Sequence, residues 1–178
     1  MHENLKLAET EYFLNNMTEH ENDPSEFHFL LSAFLSAARS VLQYALEEVK
    51  GNPQAQQWYE AKIAGSNILK FFKGKRDINI HQEPVQTNQH ITIALKETVH
   101  ISEAVRVVIT RGDGTTETHN STGAASPPKQ EESKSLRSSK YFFNDWSGTE
   151  DVVTLCHAYA AELRNLVTEG VANNYISG

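Results

Sequence analysis

Between Glu26 and Lys50 apolar residues return at helical spacing with no helix breaker among them. Phe27, Leu30, Leu31, Phe34, Leu35, Ala38, Val41, Leu42, Ala45, Leu46 and Val49 fall on one side of a helix of about seven turns. A stripe that wide must be covered by other elements, and helix-on-helix packing is the direct way to cover it. Its second face carries Ser32, Ala33, Ser36, Ala37 and Ser40. Small residues there let another helix approach closely, within the chain or across a dimer, the former being expected.

The remaining segments are read around that helix. Leu5 to Asn16 reads as a short amphipathic helix with Leu5, Ala8, Tyr12 and Phe13 inward. Asn22-Asp23-Pro24-Ser25 is a break, with Ser25 as the expected N-cap of the long helix. Gly51-Asn52-Pro53 ends it and permits a tight reversal. A third helix is expected from Gln54 to Phe72, antiparallel to the second. Lys73-Gly74-Lys75 then interrupts the run, Arg76 to Gln82 reads as a further helical turn, and Glu83-Pro84 stops it.

Beyond Pro84 the periodicity changes. His90 to Leu95 and Glu103 to Arg111 alternate and are rich in β-branched residues. Gly112-Asp113-Gly114 is a turn, and Thr115 to His119 can pair back as a hairpin strand. The Arg111-Gly112-Asp113 triplet is turn chemistry, not an adhesion signal. Asn120 to Ser139, rich in Ser, Lys and Glu, reads as a loop. The aromatics of Tyr141 to Trp146 return to the core, and Ser147 to Asp151 supply an N-cap and first-turn acids. A last helix from Glu150 to Asn173 buries Val152, Leu155, Cys156, Tyr159, Leu163, Leu166 and Val167. Cys156 is thus expected in the core, not as a nucleophile. The fold class is mainly helical α+β in a single domain, 1–178. An antiparallel bundle comes from 26–84 and 147–174, with a β-hairpin or small antiparallel sheet inserted at 90–119 and a flexible loop at 120–139.

Several function classes drop out on composition. One cysteine excludes an internal disulfide framework, and no Cys/His cluster has zinc-ligand spacing. The N-terminus lacks a signal-peptide pattern, and no uninterrupted apolar run approaches the roughly 20 residues that span a bilayer. The expected location is the cytoplasm, with no membrane contact. A net charge of −7 argues against a broad nucleic-acid surface. Lys70, Lys73, Lys75 and Arg76 are the only dense cationic cluster, so any RNA would bind there. The alternative is a solvated helix end whose cations complement the C-terminal dipole.

Within that cluster Arg76 and His81 stand five residues apart, with Asp77 between them. A guanidinium grips phosphate through a planar fork of donors, and an imidazole exchanges protons near neutral pH. Together they can cleave a phosphodiester with no metal and no cofactor. With six arginines and eight histidines, such a spacing arises about once by accident. His81 bonded to a backbone carbonyl, and Arg76 paired with Glu83 or Asp77, is the structural alternative.

The two long helices followed by Arg76-Asp77-Ile-Asn-Ile-His81 resemble the HEPN family, the higher-eukaryote and prokaryote nucleotide-binding domains, in its uncharacterised bacterial form. The resemblance covers roughly Phe27 to Glu83, with Asp77 where Asn is more usual; the β segment lies outside the family pattern. It implies a metal-independent endoribonuclease or an RNA- or nucleotide-binding protein of a toxin–antitoxin or defence system. It also implies a homodimer in which two Arg/His pairs face one cleft, and an antitoxin or other protein partner. By the same resemblance Arg76 holds the scissile phosphate, His81 is the general acid or base, and Asp77 orients one of them. A non-catalytic helical interaction module, with the hairpin as its recognition surface, is the competing expectation.

Overall fold

The computed structural model describes residues 2–81, 87–94, 105–112, 114–121 and 136–178. Its elements in chain order are α1 (His2–Glu19), α2 (Pro24–Val49), α3 (Pro53–Gly65), α4 (Asn67–His81), β1 (Thr87–Ala94), β2 (Val105–Thr110), β3 (Thr116–Ser121), β4 (Leu136–Phe143) and α5 (Val152–Ala172). The result is a mainly helical α+β fold with small antiparallel two-stranded sheets inserted mid-chain. Two compact units divide it: Met1–Thr92 with Arg137–Gly178, and Ile93–Leu136.

The first unit is built around α2. Its cap is Asp23, two residues before the expected Ser25. The Asp23 carboxylate accepts from Ser25 N at 3.0 Å and Glu26 N at 3.1 Å, and Pro24 supplies the preset φ of the first helical position. The apolar stripe of α2 is core as expected: Phe27, Phe34, Ala38, Val41, Leu42, Ala45 and Val49 are all fully buried. Among the described helices α2 is the one long and apolar enough to cross a membrane, but here that stripe lies inside the bundle. The small-residue face splits, with Ala37 buried and Ser36 exposed, its hydroxyl turned back onto Ser32 O at 3.0 Å.

α1 packs along α2 and against α5, but with a different face from the one expected. Leu7, Leu14 and Met17 point inward with Glu3 and Thr10, whereas Leu5 is 66% and Tyr12 62% exposed. The inward set recurs with a period that admits polar members. Thr10 is tolerated because its hydroxyl donates to Lys6 O at 2.7 Å. An apolar count alone therefore chose the wrong phase.

The expected third helix is two. Gly65 ends α3; Ser66 is extended, and its side chain accepts from Leu69 N at 3.2 Å, capping α4. Gly74 does not interrupt α4, which runs on to His81. A mid-helix glycine costs about 1 kcal/mol, and burial of Leu69 and Phe72 on the same helix outweighs it. The expected stop at Glu83-Pro84 lies outside the described residues.

β4 corrects the expected loop at 120–139, as does the end of β3 at Ser121. Ser139, Tyr141 and Phe143 alternate inward, the period-two signature of a strand. β4 is fastened to the α1–α2 turn: Ser139 N donates to Asn22 Oδ1 at 2.9 Å and Lys140 Nζ to Glu21 Oε1 at 3.0 Å. Tyr141 stacks on Phe27 with centroids 3.8 Å apart. β1 pairs with β4 and is held by His28 Nε2 and Thr87 Oγ1, 3.1 Å apart. The aromatics of 141–146 thus return to the core as expected.

α5 is capped by Asp151, the last residue of the expected Ser147 to Asp151 stretch, which accepts from Thr154 N at 2.7 Å. Its whole predicted stripe is buried, Cys156 included. It closes through Asn174, whose φ of 56° is the left-handed turn that asparagine tolerates. Gly170 is required by contact: a Cβ there would come within 2.7 Å of the Trp58 ring.

The second unit holds the expected hairpin. β2 pairs antiparallel with β3 from Val105↔Ser121 to Thr110↔Thr116. Arg111 N donates to Thr115 O at 2.9 Å, and Gly114 takes the positive φ, +83°, that the turn needs. Asp113 lies outside the described residues.

Candidate functional site

Arg76, Asp77 and His81 all lie in the last turns of α4. Their side chains are outside the described residues, so the helix itself defines the geometry. At about 100° per residue, positions 70, 73, 77 and 81 share an arc of about 80°. Position 76 is about 140° from position 81, and two turns along it is nearly in line with buried Leu69. The turn that carries Arg76 is continuous α-helix with the bundle-packed part of α4, not the bent start that would let the pair converge most easily. On one regular helix Arg76 and His81 therefore diverge.

The three lysines separate. Lys70 and Lys73 are exposed, so both ammonium groups are open to a phosphate. Lys75 is only 7% exposed and turned inward. Its ammonium is paired with Asp145 and lies 5.2 Å from the Phe71 ring centroid and 5.0 Å from that of Phe143. Phe71 also meets Trp146 edge-on at 4.9 Å, and Trp146 Nε1 donates to Glu150 Oε2 at 2.8 Å. That bond, ahead of smaller backbone contributions, holds the Glu150 carboxyl below its ordinary range. This cluster fastens the base of the Arg76–His81 segment to the end of β4. Sequence reasoning missed it because Asp145 lies seventy positions away.

Two grooves border α5. One of about 400 Å³ is lined by Lys62, Leu69, Glu162, Asn165 and Glu169. Lys62 Nζ is 2.5 Å from Glu169 Oε2, and Trp58 Nε1 donates to Glu169 Oε1 at 2.7 Å. The Lys62 bond and then the Trp58 bond pull the Glu169 carboxyl down. With two carboxylates against one already paired lysine, the groove repels phosphate. In the other, about 320 Å³ between α1 and α5, Arg164 is taken by Glu11 while His157 stands exposed. Among the described residues no three His, Cys, Asp or Glu side chains gather to hold a metal. His28, near the start of α2, has its Nδ1 2.6 Å from Pro24 O and so is tied to its own helix start.

Cys156 is fully buried, and burial raises its thiol well above the ordinary value, so the nucleophilic thiolate is suppressed. Among the described residues, Lys70 and Lys73, both exposed on α4, are the cations best suited to an anion. Comparison with protein-family models, curated proteins and solved structures found no match.

Proposed function

We propose that the chain is a HEPN-like protein that binds RNA or a nucleotide along α4 and, as a homodimer, cleaves RNA without a metal in a toxin–antitoxin or defence setting. The observation that carries this reading is the continuous helix from exposed Lys70 and Lys73 to positions 77 and 81 on the same arc. Lys70 and Lys73 attract the phosphate backbone. His81 takes the proton of the ribose 2′-hydroxyl, whose oxygen attacks phosphorus. The P–O5′ bond breaks, and the leaving oxygen takes up a proton. Arg76 neutralises the charge that develops on the phosphoryl oxygens, and Asp77 orients a neighbouring group. The products are a 2′,3′-cyclic phosphate and a 5′-hydroxyl. Because Arg76 and His81 diverge on one helix, two copies of α4 side by side offer the composite site that a single copy lacks.

The test is incubation of purified protein with total RNA in EDTA, with His81→Ala alongside. The expected result is cutting by wild type alone, leaving cyclic phosphate ends. Lys70→Gln with Lys73→Gln should weaken RNA binding and flatten its salt dependence by about 0.7 in log–log slope per lysine. No cutting by a confirmed dimer at high concentration sinks the enzymatic reading. It would favour a non-catalytic interaction module with the β2–β3 hairpin as its recognition surface, where Val108 is 51% and Ile109 45% exposed.

A further inference from the structure

The β2–β3 hairpin is a two-stranded sheet, and among the described residues no third strand lies beside either member. An isolated pair of strands is marginal in water. The Arg111 N to Thr115 O bond fixes which backbone groups the hairpin uses. In an antiparallel ladder hydrogen-bonded pairs alternate. With the observed register, the pairs at 109↔117, 107↔119 and 105↔121 exchange bonds inside the hairpin. The N–H and C=O groups of Arg106, Val108 and Thr110 therefore face out along the free edge of β2.

Among the described residues the one block on that edge is the charge of Arg106. β2 reads Val-Arg-Val-Val-Ile-Thr, with no proline, no lysine and no acid. Val108 is 51% and Ile109 45% exposed, although the first belongs to one face of the strand and the second to the other. The free edge of β3, from Thr-Glu-Thr-His-Asn-Ser, is polar by contrast. We infer that the β2 edge is a self-recognition site. It pairs antiparallel with β2 of a second copy about a two-fold axis at Val108, joining two hairpins into one four-stranded sheet.

The occupant is a second copy because the edge is complementary to itself. A two-fold axis at Val108 sets Val108 opposite Val108, Val107 opposite Ile109 and Arg106 opposite Thr110. β-branched residues meet β-branched residues, and the lone cation of the strand never meets its own copy. In a chain of net charge −7, a strand without carboxylates is also where two copies approach without acid facing acid. This inference does not rest on the nuclease reading.

Single-cysteine reporters test it in the full chain, since Cys156 is buried and inert. Across the axis the Val108 Cα atoms stand about 5.5 Å apart, inside the disulfide range. The two copies of Ile109 are diagonal, at about 7–8 Å, and outside it. Both positions are similarly exposed, so random collision cross-links them equally. Val108→Cys should form a disulfide-linked dimer on mild oxidation at least about tenfold faster than Ile109→Cys, because a held pair has an effective concentration in the millimolar range. Equal rates, or none for Val108→Cys, overturn the proposal. Amide exchange is the second arm. The Val108 N–H should be protected in concentrated protein and released on dilution. Protection that survives dilution would mean that the same chain covers the edge, and no protection that nothing does; either result refutes self-pairing.

Discussion

Replacing Lys75 by methionine and Asp145 by alanine should have opposite weights, although each removes the same ion pair. Lys75 is 7% exposed and lies 5.2 Å and 5.0 Å from the centroids of Phe71 and Phe143, whereas the Asp145 side chain is 58% exposed. The two ring contacts contribute about 1 kcal/mol each, and an ion pair with a mostly solvated partner at most about 1 kcal/mol. Desolvating the ammonium costs several kcal/mol, so these terms nearly cancel. Lys75→Met keeps the buried stem and removes both sides of that balance; stability should stay within about 1 kcal/mol of wild type. Asp145→Ala leaves the cation buried against the rings alone. Removing a partner from a fully buried pair costs about 3–5 kcal/mol, and water access on the Asp145 side reduces this to about 2 kcal/mol. For a chain of this size that is a fall in Tm of about 4–8 °C. In a Lys75→Met background Asp145→Ala should cost less than about 0.5 kcal/mol, a coupling that denaturant melts of the four proteins measure directly. Additive single effects, or a Lys75→Met loss as large as that of Asp145→Ala, would refute the reasoning. The same Lys75→Met protein should bind RNA like wild type, because its ammonium is already committed inside the fold.

Two further outcomes follow from single groups. Burial acts to raise the Asp151 carboxyl, but the Thr154 N–H and hydroxyl and the Lys140 ammonium at 3.4 Å outweigh it and hold the carboxyl below the usual range. A depressed native value means stability that is present above the unfolded value, about pH 4, and lost as pH falls through the native one. Asp151→Asn, which still caps α5, should flatten the acid limb of a Tm-versus-pH curve below about pH 4; an unchanged limb would show that the carboxylate adds nothing. The Tyr159 hydroxyl is buried with no hydrogen-bond partner among the described residues, and its ring stacks on Phe72 at 4.5 Å. Tyr159→Phe should therefore be neutral or stabilising by up to about 1 kcal/mol in urea melts, and a loss of about 2 kcal/mol would reveal a bond partner.

Much of the bundle was written locally. The stripes of α2 and α5 were legible because eleven and seven apolar positions in them repeat at a period that only a helix satisfies. The β2–β3 hairpin was legible from β-branched alternation around Gly112 and Gly114. Where side chains could satisfy the backbone in more than one way, the reading slipped. Ser66 looks like any helix residue until its side chain caps α4, and Gly74 looks like a stop until its neighbours are buried. β4 reads as a polar loop at Arg137-Ser-Ser-Lys140, because its inward partners come from far along the chain: Asn22, Phe27 and Gln89, whose side chain reaches the Tyr141 hydroxyl.

The candidate site divides in the same way. The sequence by itself determined that Arg76, Asp77 and His81 are neighbours in the chain and that cations cluster beside them. Only the tertiary structure decided that Lys75 belongs to the interior, that α4 continues unbroken through Gly74, and that Lys70 and Lys73 alone of the three lysines stay in water. Helix periodicity is a property of adjacent residues and can be read from them. Which of several adjacent charges is desolvated depends on what packs over it, and Phe143 and Asp145 reach Lys75 only after the chain has passed through both sheets and returned.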